Sequence, residues 1–501
     1  MSPRQFSSVS AALLAASFTS IAQDQPKIPD LIRRAPAARQ EPQSPLLTFN
    51  IVALDPKGGS AGELHETDLR IYDDGKLMHP VFCRPLETAG PSTPLGSGEY
   101  SNRPIRGESQ TVLVLLDLLN ENFAERGLAW NDIAHAFQKV DARDRVFVYL
   151  VTAEGVLYPV HPMPAAGNTT PPDADWASKV PALLDRAIHN VYGLKPQEYR
   201  VNVDARVRRS LDLLKDVATD LGAQPGRKSL VWVSHGFPIS ATSTVDNRFR
   251  DYTPAIRNLG SDLARSGIIL YAVDQAQRST DGVASSDTLR ELAGFTGGVF
   301  LSTDQTLSAI QQAIAEAKAT YRIGFIPPLD RWDNKFHRLR ITVEGKNDRL
   351  RLRAPQGYFG DAREADPRDR FNMAAIGQAD DSSIGIRAIV TPSEKVKGWL
   401  HFQVHVDPGD LQLTSGDPST GEFGVTFAYF TNSWDPNVAS EVQTTVSLTK
   451  ANREAILRDG VELSFERPIP GDVRKIRIVV RDAHSGAVGS LAIPIAGPPQ
   501  P

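Results

Sequence analysis

The sequence of 501 residues holds one cysteine, Cys83. An internal disulfide is therefore excluded, and stability must come from packing. Cys83 falls in a strand-like run, where a lone thiol serves as a small apolar group. An excess of charge of one sign is also missing: 55 Lys and Arg against 59 Asp and Glu give a net charge of −4. No basic domain or stripe marks a nucleic-acid surface, so no nucleic-acid partner is expected. Neither the glycine-rich dinucleotide fingerprint nor the phosphate-loop pattern occurs, and no nucleotide site is expected. The ten histidines show no paired metal-ligand spacing. Past the N-terminal segment, no apolar run reaches the ~18 residues that a membrane helix needs, so the mature chain has no expected span.

What remains is the composition of a globular chain, 41% apolar and 23% charged, long enough for about three domains. Residues 1–22 read as an export signal: Arg4, then the apolar stretch Val9–Phe18, then small residues at Ser20 and Ala22. Cleavage after Ala22 would place the protein in the periplasm or outside the cell. No cysteine at that site indicates a lipid anchor. The proline-rich segment 23–45 lacks periodicity and reads as a disordered linker.

Residues 46–84 carry strand patterns, including a hairpin around Asp73-Asp74-Gly75-Lys76, since Asp-Gly suits a tight turn. A Pro/Gly/Ser-rich linker, 85–109, follows. From 110 to 319 strands and helices alternate, which predicts a doubly wound, mostly parallel sheet. Its short run Gly155–Pro159 is an expected antiparallel edge, because two residues cannot make a parallel crossover. Residues 320–360 return to strands. Three strands on each side are too few to stand alone, so the two flanks are expected to pair as one small β-sandwich into which the α/β unit is inserted. Segment 361–380 reads as a linker. About seven short strands over 381–497 suggest an immunoglobulin-like β-sandwich.

The stretch QTVLVLLDLLNEN, 110–122, is the natural centre of the α/β unit. Its apolar run suits a strand buried on both faces, and Asp117 ends it. A carboxylate there lies where open α/β sheets place their ligand crevice. The same edge would carry Asn120, Glu121, Ser234 and Asp274.

Several segments carry a resemblance. They are DLRIYDDGK (68–76), LLDLLNENF (115–123), VDARDRVFVYLV (140–151), PGRKSLVWVSHGFP (225–238), SGIILYAVD (266–274), LRELAGFTGGVF (289–300), YRIGF (321–325), FHRLRITV (336–343) and RAPQGYF (353–359). Together, and in this order, they resemble a family of exported bacterial proteins related to von Willebrand factor type A domains, abundant among acidobacteria. The resemblance spans most of the first 360 residues and none of the C-terminal sandwich. It implies a Rossmann-like α/β fold that binds protein ligands at the top of its sheet through a divalent cation. Family members hold the ion with Asp-x-Ser-x-Ser, a Thr in a second loop and a later Asp. Here Asp117 matches the first Asp, but Leu119 and Glu121 replace the serines. Ser234-His235-Gly236 follows Val233 where the later Asp belongs, and the loop near Arg200–Asp204 has no Thr.

The ion site is therefore expected to be degenerate, with no cofactor. Asp117, Glu121 and Asp204 with water are the residual option for Mg²⁺ or another divalent cation. The alternative for Asp117 is a cap that accepts backbone N–H groups. The expected function is non-catalytic protein–protein interaction or adhesion through the rim of Asp117, Asn120, Glu121, Ser234 and Asp274, with an unidentified protein partner. Two other readings are a structural scaffold of an envelope assembly and a hydrolase using Ser234 and His235. The hydrolase elbow, however, needs Gly where Trp232 stands.

Overall fold

A computed structural model describes residues 44–495, apart from 87–94, 104–109, 121–136, 141–143, 164–174, 192–202, 243–245, 275–285, 302–304, 345–348, 377–379, 432–436, 439–440 and the single positions 138, 153, 223, 225, 415 and 470. The expected signal, Glu121 and most of the helix pattern at 125–139 lie outside the described residues. The chain is mixed α/β, with one mostly parallel sheet and several antiparallel ones.

The central sheet has six strands. Their order is Val299–Leu301, Ile268–Asp274, Arg227–Ser234, Gln110–Asp117, Val146–Val151 and Leu157–His161. The first five run parallel and the last is antiparallel. Apolar residues on both faces of these strands require cover on both sides. Helices Trp176–Val191 and Thr306–Ala315 pack on one face with Val114, Val148 and Val231. Helices Val203–Gly222, Thr253–Arg265 and Ser286–Phe295 pack on the other with Leu113, Leu115 and Trp232. The turn into the edge strand needs its glycine pair: Gly297 takes φ +69°, and a Cβ on Gly298 would lie 1.8 Å from the Leu270 carbonyl.

Strands from both flanks of this unit pair with one another. Leu47–Leu54 lies beside Thr320–Phe325, with Arg351–Arg353 and Pro80–Pro85 at the edges. Leu69–Asp73 lies beside Phe336–Val343, with Lys76–Met78 and Gly357–Phe359 outermost. Phe49, Ile71, Tyr321, Phe325 and Tyr358 share the core between the two sheets. The Asp74-Gly75 turn has positive φ at both residues, 46° and 84°, as the hairpin twist demands. After the hairpin the strand pattern is divided between the two sheets, Lys76–Met78 in one and Pro80–Pro85 in the other. Pro80 has no N–H to continue the first ladder, and the chain changes sheet there.

The C-terminal part is also a pair of antiparallel sheets. One has the order Val461–Pro468, Trp399–Val406, Ile386–Pro392 and Glu99–Ser101. The other is built on Ser419–Phe430 and Lys475–Asp482. Phe402, Phe423, Phe427, Ile476 and Ile478 fill the space between.

Two segments expected as linkers are built into the structure. Within 85–109, Glu99–Ser101 pairs with Arg387–Ile389 and forms the edge of the C-terminal sandwich. Asn102 fixes it there, donating to the Asp381 and Ile384 carbonyls and accepting from Ile386 N at 2.8 Å each. Arg103 adds an ion pair to Asp407 at 2.6 Å and another to the buried Asp410. Within 361–380, Pro367–Ile376 is a helix. Its Phe371, Ala374 and Ala375 cover Ala428, Phe430 and Val479 on the outer face of the sandwich.

Candidate functional site

The carboxyl ends of the central strands bring Asp117 and Ser234 together, because Leu116 pairs with Val233 across adjacent strands. Asp117 Oδ1 accepts from Leu119 N at 2.9 Å and Asn120 N at 3.1 Å. Its Oδ2 accepts from Ser234 Oγ at 2.7 Å, Asn120 Nδ2 at 2.8 Å and Trp232 Nε1 at 3.3 Å. Five donors meet a group with about four lone-pair positions, so its acceptor capacity is spent within the chain. The backbone-accepting cap is one half of this arrangement.

Asn120 also donates to Ser210 Oγ at 2.9 Å, tying the loop to helix Val203–Gly222. Ser234 Oγ accepts from Gly236 N at 2.9 Å. Its proton is directed to Asp117, not to the neighbouring imidazole of His235. Asp117, Asn120 and Ser234 are 5%, 5% and 1% exposed. These three side chains face inward and are joined through Asp117, so little of them is presented at the surface of the expected rim. Asp274 ends its strand in register with Ser234 and is half-buried.

Asp204 is likewise engaged. It accepts from Tyr252 Oη at 2.9 Å and forms ion pairs with Arg208 at 3.0 Å and Arg250 at 3.4 Å. Two guanidinium groups and a hydroxyl thus already serve its carboxylate.

The exposed part of this edge lies elsewhere. A hairpin, Ser240–Thr242 with Phe249–Asp251, follows Ser234 and was not evident in the sequence. Phe249 on it is 70% exposed, and Val156 in the turn after Val146–Val151 is 57% exposed. Arg248 and Arg250 flank the phenyl ring, and Asp246 pairs with both.

A second cluster sits on the flanking sheets, where Asp73, Asp74 and His337 offer atoms within 4.8 Å of one another. Arg331 already reaches both carboxylates, at 3.3 and 3.1 Å. His337 Nδ1 lies 2.9 Å from Asp74 and Nε2 lies 3.0 Å from Asp333. Both ring nitrogens thus already have carboxylate partners within the chain. Burial pushes the Asp73 carboxyl above the usual range, with Arg331 and the Tyr358 hydroxyl offsetting part of it. Asp74 is also penalised by burial, but the Arg338 amide and His337 more than offset that and its pKa falls below the usual range. Three of the resembling segments, at 68–76, 336–343 and 353–359, meet in this cluster. Their polar residues hold the hairpin in place.

A third buried carboxylate, Glu316, joins the central sheet to the flanks. It accepts from Tyr271 Oη and Arg353, and from Gln312 Nε2 at 2.8 Å. Arg227 donates to the same Tyr271 hydroxyl at 2.6 Å. Comparison with known proteins adds no relative: no family model matches the chain, and no curated protein matches it.

Proposed function

We propose that this chain is an exported, non-catalytic interaction protein whose α/β unit is of the von Willebrand factor type A kind and engages a protein partner without a cation. The C-terminal part, in this reading, is an immunoglobulin-like spacer. The observation that carries the proposal is the closed hydrogen-bond shell of Asp117. Its oxygens are committed to Leu119, Asn120, Trp232 and Ser234. The serine that could attack an acyl group is committed to the same carboxylate. A partner would therefore meet the exposed hairpin, with Phe249 as an aromatic anchor between arginines, a combination favoured at protein interfaces.

Pull-down from native envelope extract tests this directly. The wild-type chain is expected to retain a discrete partner in the presence of chelator, and Phe249→Asp with Val156→Asp is expected to lose it. Loss of the partner with chelator, or equal capture by both chains, would overturn the reading.

A further inference from the structure

At the opposite end of the central sheet a cavity of about 690 Å³ lies between the α/β unit, the flanking sheets and the C-terminal sandwich. Lys228, second residue of the strand Arg227–Ser234, lines it from one side, and Arg322, from Thr320–Phe325, lines it from another. Both are partly buried, and both bond only to neutral oxygens. Lys228 Nζ donates to the Ser266 carbonyl at 3.2 Å. Arg322 donates to Ser382 Oγ at 2.8 Å, Thr48 Oγ1 at 3.1 Å and Ser383 Oγ at 3.3 Å. Among the described residues no carboxylate forms an ion pair with either.

Four other cations that line the cavity have ion pairs, Arg363 with Asp361 among them. Arg84 and Arg103 share Asp410, and Arg265 pairs with Glu364. Asp381 is the counter-charge that Lys228 and Arg322 have in common, but its Oδ1 accepts from Ser383 N at 2.7 Å. Loss of water around the ammonium, and then the nearby Arg322, bring Lys228 down to about 8. Burial lowers Arg322 to about 10, against the pull of Asp381. Two cations facing one half-open cavity without direct counter-ions are an electrostatic cost that an anion would relieve. Each hydroxyl that accepts from Arg322 also keeps a proton of its own to donate.

We propose that this cavity binds a small organic anion, whose phosphate or carboxylate group is held between Lys228 and Arg322 and by the hydroxyls of Thr48, Ser382 and Ser383. The volume lies in the ~300–1,000 Å³ range of small-molecule sites, which leaves room for a molecule behind the charged group. The site is independent of the partner surface at the far end of the sheet. Because its residues come from three parts of the chain, an occupant would fasten the C-terminal sandwich to the α/β unit.

Titrating the full chain with inorganic phosphate, citrate and sodium chloride at matched ionic strength tests the site, by calorimetry and by melting temperature. A saturable rise in melting temperature is expected with phosphate or citrate and not with chloride. The stronger of the two identifies the anchoring group. Lys228→Met is expected to fold, since it removes a cation without a counter-ion, and to weaken binding at least about tenfold. Ser382→Ala, which leaves both cations in place, is expected to weaken it by a smaller factor. Affinity should fall as pH rises past about 8, because the ammonium that faces Arg322, Asp381 and the Ser266 carbonyl then loses its proton. Absence of a saturable effect beyond that of chloride would overturn the proposal. So would wild-type affinity in both variants, or in Ser382→Ala alone if Lys228→Met does not fold.

Discussion

One strand of the central sheet, Arg227–Ser234, ends in two contrasting places. At its carboxyl end Ser234 donates to a carboxylate that four other donors already serve. At its amino end Lys228 projects into a cavity, where it donates to a neutral carbonyl, that of Ser266. The carboxyl end is where α/β sheets of this kind place their ligands, yet here the Asp117 carboxylate and the Ser234 hydroxyl are satisfied within the chain, and among the described residues only Asn120 Oδ1 of this group lacks a partner. The amino end, which fold alone would not single out, retains charge that no carboxylate among the described residues pairs with directly. Satisfied polar groups hold a structure together; unsatisfied ones point to a ligand.

The largest effect is expected at the satisfied end. Asp117→Ala would strand several buried donors, at ~1–3 kcal/mol each, and urea unfolding should show a loss of roughly 3 kcal/mol or more. A loss below about 1 kcal/mol would mean the shell is loose and the contrast false. Next comes Arg103→Ala, which leaves the buried Asp410 with Arg84 alone. Breaking a buried pair costs about 3–5 kcal/mol, and the second partner should reduce that to about 2–3 kcal/mol, read from the same unfolding curves.

A smaller effect is expected at the unsatisfied end and depends on pH. Lys228 has its folded-state pKa lowered from 10.5 to about 8. Its contribution is thus fully present above 10.5 and is lost as pH falls through about 8. Stability of the unliganded wild type should rise with pH across that window, and Lys228→Met should remove that part of the slope. Smallest of all is Phe249→Asp, an exposed change expected to stay within about 0.5 kcal/mol in thermal unfolding while partner capture is lost.

Much of the fold was legible in local patterns. The apolar run within 110–122 forms the strand Gln110–Asp117, and the edge expected at Gly155–Pro159 forms the antiparallel strand Leu157–His161. Apolar periodicity reports such elements because each buries a face of its own. Segments whose cover comes from far away were missed. Glu99–Ser101 sits among prolines and glycines and becomes a strand only through Ile386–Pro392. Pro367–Ile376 has an apolar face limited to a few residues, so its period was weak. Asp117 was found by its place at a strand end, but its burial was not, because the donors from Trp232 and Ser234 lie more than a hundred residues away. The cavity had no local signal at all. Thr48, Lys228, Arg322 and Ser382 are brought together only by the tertiary fold.

The edge strand at Glu99–Ser101 gives the chain an order of threading. The polypeptide visits the C-terminal sandwich first, leaves to build the α/β unit, and comes back some 280 residues later, at Ile386, to finish what it began. The parts are laced, not strung like beads. A fragment cut at residue 380 would lack its outermost seam, and tension on the C-terminal sandwich would fall on the bonds of Asn102 and Arg103.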